Sequence, residues 1–243
     1  MQFDLDLAAV LHRALLILRS RPLFFLGSAL LFHAAPIAME ASVIAADGWP
    51  QAVGADAIGE QRLAPLLPVL VSFIVSAFHE GFCLVVAADW SRGERTRFVD
   101  AATTAGSRFI GLAVARLIAG FLTLFGCCAF IVGGFVVGGA LFVAPAALMY
   151  ENHGSAAALQ RSHALTTGRR FPAACLFGAA TLAPQFALVI AAYGAVLAES
   201  LPLLILVDVV GALWLPVEAA VKASAYFELR GREQAGAIDG VFG

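Results

Sequence analysis

Apolar positions first recur at helical spacing close to the amino end. In residues 4–19, Leu7, Val10, Leu11, Ala14, Leu15 and Leu18 share one face, while Asp4, Asp6, His12, Arg13 and Arg19 lie away from it. One apolar stripe on a short polar helix predicts an interfacial amphipathic helix over 4–19. Ser20, Arg21 and Pro22 end it, and Pro22 suits the first turn of a new helix because the N–H it lacks would have no partner there. Beyond Pro22 the pattern changes from one apolar face to apolar on every face. Spanning a hydrocarbon core of about 30 Å takes about 20 such residues, and the chain supplies spans at 22–46, 63–89, 107–132, 135–150, 171–197 and 201–226.

Polar punctuation sets the boundaries. Asp47, Asp56, Glu60 and Arg62 mark a loop between the first two spans, and Arg92, Arg95 and Arg97 follow the second. Residues 98–108 read as a weakly amphipathic surface piece. The apolar run from Phe109 to Tyr150 is about twice the length of one span, so it predicts two spans joined by a tight turn. Paired glycines reverse a chain without steric cost, which places that turn at Gly133-Gly134, with Gly138-Gly139 as the competing site. After Glu151-Asn-His-Gly154, residues 155–167 form another short surface helix, and the basic pair Arg169-Arg170 opens the fifth span. Glu199-Ser200 turns that span into the sixth, and 227–243 is a polar tail with flexible terminal glycines. The predicted fold is an all-α integral membrane protein, a single membrane domain over 1–243. Its six transmembrane helices form three hairpins, and its short interfacial helices lie on the cytoplasmic side.

Composition agrees with that class. Apolar residues make up 61% and charged residues 13% of the chain, with mean hydropathy +0.89, against about 45–50% and about 25% in soluble domains. A formal charge of −2 argues against nucleic acid as a partner. No basic amino-terminal region with a small-residue cleavage site reads as a signal peptide. Cys83, Cys127, Cys128 and Cys175 all fall in apolar runs, where cysteine serves as a small packing residue. Orientation follows from the basic residues. Of the fifteen Lys and Arg, only Arg62 lies in a loop assigned to the outside; twelve, Arg108 among them, fall on the inner side, and Arg116 and Lys222 remain within spans near their inner ends. The positive-inside rule then puts both termini in the cytoplasm.

The chain also repeats a surface helix, a basic break and a span, at VLHRALLILRSRP, DAATTAGSRF and ALQRSHALTTGRRFP. A true triplication and the ordinary basic start of membrane hairpins both produce that pattern. The central stretch carries a more specific signature: Pro145, Glu151, Gly154, Ala158-Leu159, Arg161-Ser162, Leu165-Thr166 and Gly168-Arg169-Arg170. With the exit Tyr226, Leu229, Arg230, Arg232 and Glu233, it resembles the bacterial family named after the membrane domain of glycerophosphoryl diester phosphodiesterase. The chain departs from that pattern at Ala235, which separates Glu233 from Gly236, and at Gly133, where a proline is usual. The resemblance implies a bacterial cytoplasmic (inner) membrane location and the six-span topology. It does not transfer the phosphodiesterase activity, because no residues here could form that soluble catalytic barrel.

Few residues carry chemistry. His79 and Cys83 are four apart with Glu80 beside them, a variant of the zinc-binding HExxH arrangement. Asp208, the nearest further ligand, lies roughly 13 Å away in depth at 1.5 Å rise per residue, so His79 and Glu80 read as polar packing groups and no metal or cofactor is expected. Counted from the cytoplasmic ends, Glu80, Arg116 and Glu218 share one depth, with Lys222 one turn nearer the surface. Charges in lipid normally face the bundle interior and pair with one another. His79, Glu80, Arg116, Glu218 and Lys222 therefore form a polar layer, with Arg116 paired to Glu80 or Glu218, or else with Arg116 and Lys222 snorkelling to the inner interface. Arg21, Arg108, Arg169 and Arg170 form a belt for anionic lipid headgroups, worth about 1 kcal/mol per basic residue. His33, Glu40, Gln185 and Asp208 have no partner assignable from sequence. With no nucleophile elbow and no phosphate-binding glycine loop, the expectation is a non-catalytic accessory subunit partnered by lipids and by another membrane protein or a second copy. A transporter or lipid-handling channel built on the polar layer is the alternative, and an intramembrane hydrolase a remote one.

Overall fold

The computed structural model describes residues 5–47, 66–151 and 154–242. The predicted polar loop beyond Asp47 and the Asn152-His153 pair lie outside the described residues. The rest is helical throughout: α1 (Leu7–Ser20), α2 (Pro22–Asp47), α3 (Leu66–Ser91), α4 (Phe98–Ala129), α5 (Ile131–Leu141), α6 (Ala144–Glu151), α7 (Ser155–Thr166), α8 (Arg170–Phe177), a π-helical segment Gly178–Leu182, α9 (Ala183–Leu197) and α10 (Leu201–Phe242). Among the described residues six stretches are long and apolar enough to cross a membrane, the fourth combining α5 with α6 and the fifth combining α8, the π-helical segment and α9.

Local sequence explains the ends. Asp6 caps α1, its carboxylate accepting the Ala9 N–H at 3.0 Å. Arg21 leaves helical geometry at φ −148°, and Pro22 starts α2. Gly168 after α7 takes φ +81°, a left-handed conformation that glycine adopts without a Cβ clash. Packing then sorts the helices into two groups. Residues 79–88 of α3, 140–149 across α5 and α6, and most of 212–226 of α10 are buried in the centre. By contrast α2, α4 and α8 to α9 leave large apolar side chains on the outside, such as Ile110, Phe125 and Phe186. The long α10 touches α1, α2, α3, α6, α7 and α9. The end of the bundle carrying α1 and α7 is called proximal below, and the opposite end distal.

The structure corrects several sequence expectations. Residues 98–108 are not a separate surface helix, because α4 runs unbroken from Phe98 to Ala129. Ala101, Ala105, Leu112 and Ala115 make one continuous buried stripe along it. Among the described residues the short helices outside the six apolar stretches are α1 and α7. The turn between the third and fourth spans falls at Phe130, not at the glycine pair. Phe130 is extended, its N–H bonding Gly126 O at 2.9 Å, and Gly133 N–H returns to Phe130 O at 2.7 Å. The glycines serve close approach instead: a Cβ on Gly126 would stand 2.8 Å from Gly134 Cα. So short a turn forces α4 and α5 backbone to backbone.

The fourth span, expected as one helix over 135–150, breaks at Phe142-Val143. Pro145 is the cause, since it cannot donate to the Leu141 carbonyl one turn back. The Ala140 carbonyl beside the break accepts from Ser162 at 2.8 Å and from Thr166 at 3.3 Å. Pro184 acts alike in the fifth span. It cannot donate to the Ala180 carbonyl, the helix widens to π geometry over 178–182, and Trp214 Nε1–H reaches that carbonyl at 2.8 Å. The expected flexible tail also differs, for α10 continues to Phe242. Arg232 donates to Glu228 one turn back at 2.8 Å, an i,i+4 pair that favours helix past the apolar run.

Candidate functional site

The charged layer assembles where α3, α4, α10 and the π-helical segment meet. Glu80 is 2% exposed, and it holds two cations. Its Oε1 receives Lys222 Nζ at 2.5 Å, and its Oε2 lies 3.2 Å from Arg116 Nη1. Lys222 also contacts Glu218 Oε1, one turn back on α10, at 2.7 Å. Thr181, from the π-helical segment, donates to the same oxygen at 2.8 Å. Arg116 therefore takes Glu80 and not Glu218, and Lys222 is buried between two carboxylates instead of snorkelling. Two aromatic faces complete the cation environment, Phe142 below Lys222 at 5.9 Å and Phe73 beside Arg116 at 5.8 Å. Phe142 reaches its place because the helix breaks there.

Contact is not saturation. The Arg116 Nη1 to Glu80 Oε2 approach is an ion pair by distance but is misaligned for a hydrogen bond, and neither atom has another hydrogen-bond partner. Lys222, in contrast, is matched on two sides. Arg116 thus retains a buried donor that a further acceptor could satisfy.

His79 belongs to a different face of α3. Its Nε2 lies 3.2 Å from Ser28 Oγ, and its ring packs 5.4 Å from that of His33. Ser28 gives its hydroxyl proton to Phe25 O at 3.0 Å, so the serine oxygen accepts from His79. His79 Nδ1 and His33 Nε2 are buried without a hydrogen-bond partner. No group of three His, Cys, Asp or Glu side chains able to hold a metal occurs among the described residues.

Two cavities flank the layer and share Arg116. One, of about 400 Å³, is mostly apolar and lies between α4, α5 and α8, with Arg116, Thr181, Glu218 and Lys222 in its wall. The other, of about 340 Å³, is polar and runs toward the distal end past His33, Gln185, Glu40 and Asp208. A third, of about 420 Å³, shares Glu40, Ser72 and Ser76 with it. Glu40 of α2 and Asp208 of α10 line that polar cavity together.

The basic belt is put to use within the fold at two positions. Arg21 donates to Thr96 O at 2.7 Å. Arg108 donates to the Leu148 and Met149 carbonyls near the end of α6, neutralising the negative helix terminus. These two act first as braces between helices, which the lipid-belt expectation did not include. Arg170 meets His163 Nε2 at 3.4 Å, and Arg169 is the residue that opens α8.

A second ionic cluster, not singled out as a site by sequence reasoning, closes the proximal end. Arg161 Nε donates to both Glu151 oxygens at 3.0 and 2.9 Å, and its Nη1 and Nη2 grip Glu233 at 2.7 and 2.6 Å. Tyr226 donates to Glu151 at 2.6 Å. The Glu233 hydrogen bonds, followed by those to Glu151, push the Arg161 guanidinium further above its ordinary value. The cluster ties α6, α7 and α10 together. All four residues stood in the motifs that carry the family resemblance, so the signal was present but was read as topology. No family model matches the chain, and comparison with curated proteins and with solved structures gives no match either.

Proposed function

We propose that this chain is a multi-pass membrane carrier for an amphiphile with an anionic head, a phosphate or a carboxylate. The carrying observation is Arg116: it stands in the wall of both the apolar and the polar cavity, with a buried Nη1 donor lacking a hydrogen-bond partner. The apolar cavity suits a hydrocarbon chain, and the shared arginine suits the head. In this reading the six spans sit in a bacterial inner membrane as three hairpins, both termini and the α1 and α7 surface helices on the cytoplasmic side. Irregular backbone at membrane depth is tolerated only where protein or a cavity covers it. The break at Phe142 and the π-helical segment border the apolar cavity, as the broken helices of carriers do. These features favour the carrier over the accessory-subunit expectation, which rested on the lack of a catalytic constellation.

The test is purification in mild detergent followed by mass spectrometry of the bound molecules. The carrier reading expects a monodisperse protein with a near-stoichiometric anionic amphiphile, lost in Arg116→Gln. A stoichiometric protein partner with no bound amphiphile would return the chain to the accessory-subunit class.

A further inference from the structure

The apolar cavity has a direction. On α4 its wall includes Arg116, Ala119, Gly120, Thr123 and Cys127, positions three and four apart that share one helix face. That strip extends distally from Arg116 to Cys127, about 16 Å at about 1.5 Å rise per residue. Beyond the arginine these four side chains are all small. The charged residues of the wall are Arg116, Glu218 and Lys222, all members of the central layer. An amphiphile laid along the strip thus has its head at the layer and its chain toward the distal end.

Gly120 stands one turn beyond Arg116. A Cβ built there meets nothing within 4 Å, whereas at Gly126 and Gly139 it would strike the backbone of a neighbouring helix. Those glycines let helices touch, and Gly120 instead leaves room in the wall. Glycine inside a helix is a weak choice, and no neighbouring atom requires it here. Leu124 on α4 and Leu182 on the π-helical segment line the same cavity, yet they are 58% and 41% exposed. Gly120 is exposed as well. The cavity is therefore a groove that opens sideways between α4 and the π-helical segment, toward lipid in the carrier reading. Its capacity bounds the occupant. A cavity of about 150 Å³ takes one benzene ring, so about 400 Å³ scales to roughly sixteen carbons, one hydrocarbon chain and not two.

We propose that this groove takes a single hydrocarbon chain sideways from the bilayer, and that Gly120 fixes the room for it. The occupant is a one-chain amphiphile with an anionic head, an alkyl phosphate or a fatty carboxylate. A diacyl lipid brings a second chain that the groove does not hold. A chain that leaves lipid for an apolar groove gains little hydrophobic free energy, since both surroundings are apolar. Selection then falls to the fit of the chain and to the head. The one-chain assignment rests on the carrier reading for the head at Arg116.

The experiment uses dodecyl phosphate carrying a diazirine at the end of its chain, photolysed with the protein in phosphatidylcholine nanodiscs, with the labelled residues mapped by mass spectrometry. Wild type is expected to be labelled within 123–127 of α4 and at Phe177 on the facing wall. Gly120→Phe is expected to lower that labelling at least tenfold while unfolding at the wild-type temperature, and Gly120→Ala to stay within about twofold of wild type. At equal mole fraction in the bilayer, unlabelled dodecyl phosphate and dodecanoate are expected to compete, and didodecyl phosphate to compete at least tenfold less well. Wild-type labelling that is absent or lies elsewhere, labelling that ignores Gly120→Phe, or equal competition by didodecyl phosphate each overturns the proposal. If Gly120→Phe does not fold, the wild-type map and the competition decide by themselves. Arg116→Gln separates this groove from the carrier reading. Labelling kept in Arg116→Gln but lost in Gly120→Phe sinks the anionic carrier and keeps the chain groove, and the converse sinks only the groove.

Discussion

Two ionic clusters among the described residues both pair arginine with glutamate, and they differ in completion. At the proximal end Arg161 meets Glu151 and Glu233 through all three of its guanidinium nitrogens, and Tyr226 also donates to Glu151. In the centre Arg116 and Glu80 touch without a well-aligned hydrogen bond, beside two cavities. The first arrangement is what a fastener needs: a planar guanidinium against two carboxylates, each carboxylate oxygen with a hydrogen-bond donor. The second leaves polar capacity buried, which is costly unless something uses it. Completeness, more than charge, separates a brace from a binding site here.

The largest expected effect comes from removing the shared carboxylate. Glu80→Ala strands Lys222 and Arg116 together and is expected to cost about 3–5 kcal/mol, as for breaking a buried pair. Chemical unfolding in detergent measures it, and Glu80→Leu combined with Arg116→Leu and Lys222→Met is expected to recover most of the loss. A small effect from Glu80→Ala alone would mean that water already screens the centre and would erase the contrast.

Double-mutant cycles sharpen the contrast next. Arg116→Ala with Glu80→Ala is expected to show about 1–3 kcal/mol of coupling, whereas Arg116→Ala with Glu218→Ala is expected to be additive within about 0.5 kcal/mol. Additivity in both cycles would leave Arg116 without an interior role and remove the main support of the carrier.

Arg161→Lys tests the fastener. A lysine keeps the charge but not the planar fork, so a loss of about 1–2 kcal/mol is expected with bound amphiphile unchanged. Loss of amphiphile in this variant would show that the two regions are coupled. The smallest effect is expected from Glu233→Ala. Glu233 is 49% exposed at its side chain, so the loss should be under about 1 kcal/mol and should shrink with added salt.

Depth was readable by counting. Glu80, Arg116 and Glu218 were matched in level from the span ends alone, and they do lie in one layer. Rotational phase was not readable. His79 and Glu80 are neighbours in sequence, yet about 100° per residue around a helix sends one to Ser28 and the other to Lys222. Pro145 and Pro184 were visible, but a proline states only that a hydrogen bond is missing. Whether the chain kinks, breaks or widens depends on which neighbours reach the carbonyls there: Ser162 and Thr166 bond Ala140 O beside the break, and Trp214 bonds the Ala180 carbonyl that Pro184 frees, all from other helices.

The sequence by itself determined the helical class, the six apolar runs and the depth of the central charges. Those follow from run length and period, which are local properties of the chain. Only the tertiary structure decided that Arg116 faces Glu80, that Lys222 lies between two carboxylates, that Phe130 makes the turn while glycines let α4 and α5 touch, and that Glu40 and Asp208 line one cavity. Each of those depends on how helices rotate and tilt against one another, and that is set by the fit of all their surfaces at once.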